Sequence, residues 1–118
     1  MNTNRNVAAR LLALGIGLLA TVGIASAASF TAGNIVIYRV GDGSGALGTA
    51  AVPAFLDEYT PSGTFVQTVA LPTTTAGANK RLVAAGSQAE GLLNRSVDGQ
   101  YLLVGGYDAA VGTATVGT

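Results

Sequence analysis

Apolar residues in this chain cluster in short runs separated by glycine, proline and small polar residues. Residues 35–40, Ile-Val-Ile-Tyr-Arg-Val, are rich in β-branched side chains and lie between Gly33-Asn34 and Gly41-Asp42-Gly43. Such a run bounded by turn formers predicts a β-strand. Residues 41–48 form a glycine-rich loop, and residues 54–59 predict a second strand. Thr60-Pro61-Ser62-Gly63 is a turn, because proline presets φ at its second position and glycine tolerates positive φ at its end. Residues 64–71 are then a third strand, hairpin-paired with the second and ended by Pro72, which has no N–H to give to a ladder.

A polar linker, residues 73–80, leads to a short strand at 81–85. Residues 91–96 and 100–104 flank Val97-Asp98-Gly99, and Asp-Gly is a strong hairpin-turn signal. Residues 111–118 alternate Val, Thr and Ala and predict the start of a further strand. Beyond residue 30 no sustained helical periodicity with caps occurs. The expected class is all-β with antiparallel sheets. Antiparallel strands with one wet face alternate apolar and polar residues. Ile35-Val36-Ile37 and Leu102-Leu103-Val104 are instead continuously apolar. Short hairpins with two apolar faces suggest stacked antiparallel sheets, as in a β-propeller or the middle of a larger sandwich.

The N-terminal region follows a different pattern. Arg5 and Arg10 precede an apolar stretch at residues 11–25, and Ala25-Ser26-Ala27 is the small-x-small pattern of a signal-peptidase site. Residues 1–27 therefore read as a cleavable secretory signal peptide in helical form, cut between Ala27 and Ala28. The apolar core is 15 residues long and carries three glycines. A spanning helix needs about 20 apolar residues, so no stable membrane anchor is expected after cleavage. The two arginines are not adjacent, so the ordinary secretory route is implied rather than the twin-arginine one. The mature part, residues 28–118, is expected to be periplasmic or extracellular.

Composition narrows the chemistry. The 118-residue chain has no Cys and no His, and 10% of it is charged, against roughly 25% for an average domain. Without Cys there are no disulfides, thiolate nucleophiles or thiolate metal sites. Without His the usual general base and transition-metal ligand are missing, and a Ser-His-Asp triad within the chain is excluded. Residues 28–118 hold Arg39, Lys80, Arg81 and Arg95 against Asp42, Asp57, Glu58, Glu90, Asp98 and Asp108, two net negative charges. A mildly acidic chain without a basic cluster does not read as a nucleic-acid binder.

Three motifs resemble known sites. Residues 43–48 match the dinucleotide fingerprint G-x-G-x-x-G after a strand. That fingerprint needs a following helix to hold the pyrophosphate, and Pro53 stands five residues beyond Gly48, so the segment reads as a β-connection. Among the carboxylates, Asp42 in the glycine-rich loop is a candidate oxygen ligand for calcium, the one cofactor the sequence raises. The EF-hand and Gly-Gly-x-Gly-x-Asp patterns are both absent. The other acids read as solvated turns and strand edges, Asp98 as a turn former. Asp57 and Glu58 are adjacent on a strand and point to opposite faces, so they do not form a glycosidase pair. Asn94-Arg95-Ser96 fits the N-glycosylation pattern but falls in a predicted strand. Tyr38, Tyr59, Tyr101 and Tyr107 read as packing residues rather than a carbohydrate-stacking row. No catalytic residue is assigned.

Residues 34–43, Asn-Ile-Val-Ile-Tyr-Arg-Val-Gly-Asp-Gly, resemble the N-terminal part of large secreted bacterial β-propeller-like proteins of uncharacterised function. Residues 55–67 and 96–103 carry the same resemblance, which covers most of residues 30–110. It implies blade repeats ending in Asp-Gly turns but transfers no catalytic motif. Those relatives are much longer, so the resemblance implies a truncated segment of one to two blades. The missing remainder of the propeller, or another chain, is then the expected partner. Apolar strand starts at Ile35 and Leu102, 67 positions apart, are a weak internal echo. The expected role is non-catalytic binding or scaffolding. The alternatives are an adhesin-like structural surface protein and a fragment of a calcium-dependent propeller hydrolase.

Overall fold

The computed structural model describes residues 29–86 and 92–117. The signal peptide and its Ala27–Ala28 cleavage site lie outside the described residues, as does Glu90. The described residues are all-β and hold seven strands in three antiparallel sheets, with no helix. None of them forms a helix long and apolar enough to cross a membrane.

The largest sheet has three strands, β1 (Ile35–Val40), β3 (Ala54–Tyr59) and β4 (Phe65–Ala70), with β3 in the centre. The predicted hairpin is present. Leu56 lies opposite Val69, Tyr59 opposite Phe65, and a bulge at Glu58/Tyr59 leaves Val66 without an opposite residue. Gly63 N–H donates to Thr60 O at 2.9 Å and Thr60 N–H to Thr64 O at 2.8 Å, closing the turn that Pro61 and Gly63 promote. The 41–53 connection returns the chain antiparallel to β1, so Ile35 lies opposite Tyr59 and Val40 opposite Ala54. Residues 43–48 remain loop with no following helix, in keeping with a β-connection.

Side chains alternate across the sheet. Its inner face carries Val36, Tyr38 and Val40, then Ala54, Leu56 and Glu58, then Gln67 and Val69. Its outer face carries Ile35, Ile37 and Arg39, then Phe55, Asp57 and Tyr59, then Phe65, Thr68 and Ala70. On the inner face Ala54 and Leu56 are buried, and Ala51, Val83, Ala84 and Ala85 are the other buried apolar residues among those described. On the outer face Ile35, Ile37 and Phe65 are each about half exposed. The apolar run of β1 thus has one packed and one wet face here, and its burial pattern alternates.

Two shorter sheets complete the fold. β2 (Ala51–Val52) pairs with β5 (Ala84–Ala85), and β6 (Leu93–Arg95) pairs with β7 (Leu102–Val104) around the Asp98-Gly99 turn. The strand predicted at 81–85 shrinks to its last two residues, preceded by a bridge from Val83 to Tyr107. In the hairpin Leu102 and Val104 are half-buried, and Leu103, on the opposite face, is exposed. Of the strand predicted at 111–118, the described residues 111–117 form none. Gly112 and Thr115 take φ of 86° and 56°, and left-handed residues break an extended run. The segment instead docks on the first residue of β2: Gly112 N–H donates to Ala51 O, and Ala51 N–H to Thr113 O, both at 2.8 Å.

Candidate functional site

Two arrangements of polar groups stand out, and both depend on the central strand. The first comprises the adjacent carboxylates of β3. They point to opposite faces, as strand geometry requires, but neither sits in a solvated turn or at a sheet edge. Glu58 has no exposed surface and Asp57 is 6% exposed. The reading of the acids as solvated groups fails for these two because β3 is the middle strand and each carboxylate finds donors on its own face.

On the inner face Glu58 Oε1 accepts from Thr31 N–H and from Asn34 Nδ2, each at 2.7 Å, and Oε2 accepts from Gln67 Nε2 at 2.6 Å. Gln67 is its neighbour across the hairpin. Thr31 and Asn34 belong to the turn before β1, closed by Asn34 N–H donating to Thr31 O at 3.1 Å. Glu58 therefore ties the entry of the chain to the sheet centre. Hydrogen bonds from Gln67 and from the Thr31 amide hold its carboxyl below the usual range.

On the outer face Asp57 forms a fork with Arg39, Nε to Oδ2 at 2.6 Å and Nη2 to Oδ1 at 3.2 Å, and Thr68 Oγ1 donates to Oδ1 at 2.7 Å. The Arg39 bond is the main cause that lowers the Asp57 carboxyl, and the same bond raises the guanidinium. Arg39 also donates from Nη1 to Gly41 O at 3.0 Å and lies 4.3 Å above the centre of the Phe55 ring.

The remaining described acids are structural acceptors too. Asp42 accepts from Ser44 N–H at 2.9 Å and Ser44 Oγ at 2.6 Å within an exposed loop. Asp98 accepts from Ser96 Oγ and Gln100 N–H and shapes the hairpin turn, so it is the turn former the sequence predicts. Asp108 pairs with Arg81 at 2.8 Å and with Lys80 at 3.8 Å. The carboxyl of each is lowered, chiefly by Ser44, Ser96 and Arg81 respectively. Among the described residues no three His, Cys, Asp or Glu side chains gather in a group that could hold a metal ion.

The second arrangement is a cleft of about 530 Å³ between the inner face of the main sheet and the β6–β7 hairpin. Residues 29–34, Val36 and Leu56 form one side, and Arg95, Gly99, Gln100, Tyr101 and Leu102 the other. Arg95 Nε donates to Gly99 O at 3.1 Å. A Cβ on Gly99 would collide with the guanidinium, and Gly99 has φ of 71°, so glycine both completes the turn and lets Arg95 lie across it. No protein-family model, curated protein or solved structure matches this chain. Geometry alone therefore assigns the cleft.

Sequence patterning raised Arg95 solely as the middle of a glycosylation triplet and Tyr101 as a packing residue. Asn94 and Arg95 lie in β6, as expected. Tyr38, Tyr59 and Tyr107 are half-buried, in line with packing, but Tyr101 is 64% exposed and lines the cleft. The local signal for Arg95 is its spacing of four from the turn glycine. Nothing local points to the opposite wall, which comes from residues more than 35 positions away.

Proposed function

We propose that this chain is an exported, non-catalytic, β-propeller-like segment that binds a ligand or serves as a scaffold. One observation carries the reading: every described carboxylate is held as a hydrogen-bond acceptor within the architecture and is shifted toward the ionised form. A general acid near neutral pH needs the opposite shift, and the chain has no His or Cys to take that part. The propeller-like element of the proposal draws on the succession of small antiparallel sheets and on the outer face of β1-β3-β4, where exposed Ile35, Ile37 and Phe65 offer a surface for a further sheet to stack. That further sheet would come from the rest of a propeller or from another chain.

The test begins with the chain expressed in a secreting bacterial host. Mass spectrometry of the exported fraction should find an N-terminus at Ala28, and an intact Met1 in the membrane fraction would overturn the export reading. The exported protein is then offered glycoside, ester and phosphoester substrates with and without calcium. Background turnover is expected throughout. Turnover above background that Asp57→Asn or Glu58→Gln abolishes, with the fold retained, would replace the binding reading by a hydrolase one.

A further inference from the structure

We infer that the cleft between the main sheet and the β6–β7 hairpin binds a small amphipathic carboxylic acid, with Arg95 receiving the carboxylate. The inference rests on the binding role proposed above and gives it a ligand class. Phe30, Val36, Leu56 and Leu102 supply an apolar wall. A volume of about 530 Å³ lies within the range of roughly 300–1,000 Å³ typical of small-ligand sites, which combine apolar walls with a few placed polar groups.

Charge selects the head group. Arg39 pairs with Asp57, and Arg81 and Lys80 pair with Asp108. Arg95 forms no ion pair among the described residues; its single hydrogen bond there is the one from Nε to Gly99 O. Among the described residues its two Nη groups have no partner, and no carboxylate side chain lines the cleft. A guanidinium with no ion-pair partner among the described residues, beside an apolar wall, favours an anion over a cation. A single guanidinium matches a singly charged, planar carboxylate by a forked pair of hydrogen bonds, whereas a doubly charged phosphate calls for further cationic donors. Gln100 lines the same wall.

Decanoate below its micelle concentration is the probe, titrated into the exported protein by calorimetry beside decanol, decyl phosphate and decyltrimethylammonium. Saturable binding at one site is expected for decanoate, with decanol and decyl phosphate weaker and the cation unbound. Because Arg95 is exposed, Arg95→Gln should keep the native circular dichroism. It should weaken decanoate roughly ten- to hundredfold, the scale of a lost charge-assisted hydrogen bond, and leave decanol unchanged. Arg95→Lys, which keeps the charge but loses the fork, should fall between. Undetectable decanoate binding, equal binding of the cation, or full affinity in Arg95→Gln would each overturn the assignment. Decyl phosphate binding more tightly than decanoate would overturn the carboxylate head group. If decanoate fails while the hydrolase assays stay silent, the ligand class alone falls. If turnover appears, the non-catalytic reading falls whatever decanoate does.

Discussion

Removing Arg39 should destabilise the fold more than removing Asp57, although both changes delete the same ion pair. The two side chains differ in exposure, 40% for Arg39 and 9% for Asp57. Asp57→Ala leaves a guanidinium that reaches water, still donates to Gly41 O and still covers the Phe55 ring. The loss is then charge-assisted hydrogen bonding discounted for solvent screening, about 1–2 kcal/mol. Arg39→Ala leaves a carboxylate at the centre of the sheet with Thr68 Oγ1 as its remaining donor. Stranding a buried charge costs about 3–5 kcal/mol; the partial opening to the wet face places this case near 3 kcal/mol, with about 0.5–1 kcal/mol more for the lost cation–π contact. The Arg39→Ala/Asp57→Ala double variant should cost less than the sum of the singles, because the stranded carboxylate is gone. Urea unfolding at pH 7, followed by far-ultraviolet circular dichroism, gives the three values. Asp57→Ala costing as much as Arg39→Ala, or strictly additive costs, would refute the assignment of Asp57 as a buried charge that depends on Arg39.

The carboxyls of Asp42, Asp57, Glu58, Asp98 and Asp108 are all held below their ordinary values in the folded state. The unfolded chain therefore binds more protons in acid, and these groups contribute stability that is fully present above about pH 4.5 and lost as pH falls below about 4. With no His to titrate, urea midpoints should stay flat from pH 5.5 to 8 and drop steeply below 4; a transition near pH 6.5 would contradict this. Glu58→Gln should lower the urea midpoint more than Gln67→Ala, because the carboxylate is the common acceptor of three donors and Gln67 supplies one of them; the reverse order would show that Glu58 does not anchor the chain entry.

The elements legible in the sequence are those with a local cause. β1 is a β-branched run between glycines, the β3–β4 hairpin follows from Pro61 and Gly63, and the last hairpin follows from Asp98-Gly99. β5 falls within the strand predicted at 81–85, but its partner β2, two residues at the end of a glycine-rich connection, was too short to show as a strand in the sequence. The 111–118 segment looks like a strand by alternation alone, and its left-handed residues become visible solely in the fold. Likewise the burial of Glu58 depends on donors 9 to 27 positions away. The continuous apolar character of β1 suggests stacking on both faces, and in this chain one of those faces is wet. A face that the sequence makes apolar and the chain leaves exposed is the feature expected of a surface awaiting another sheet.

That surface offers the most direct test of the scaffold reading. Sedimentation of the exported protein over a range of concentrations should give a mass that rises above that of one chain, as outer faces meet. Ile37→Lys combined with Phe65→Lys, both at positions about half exposed, should return it to the single-chain mass with circular dichroism unchanged. A wild-type protein that sediments as a single chain at every concentration, with Ile35 and Ile37 in water, would contradict the claim that the outer face is built to stack.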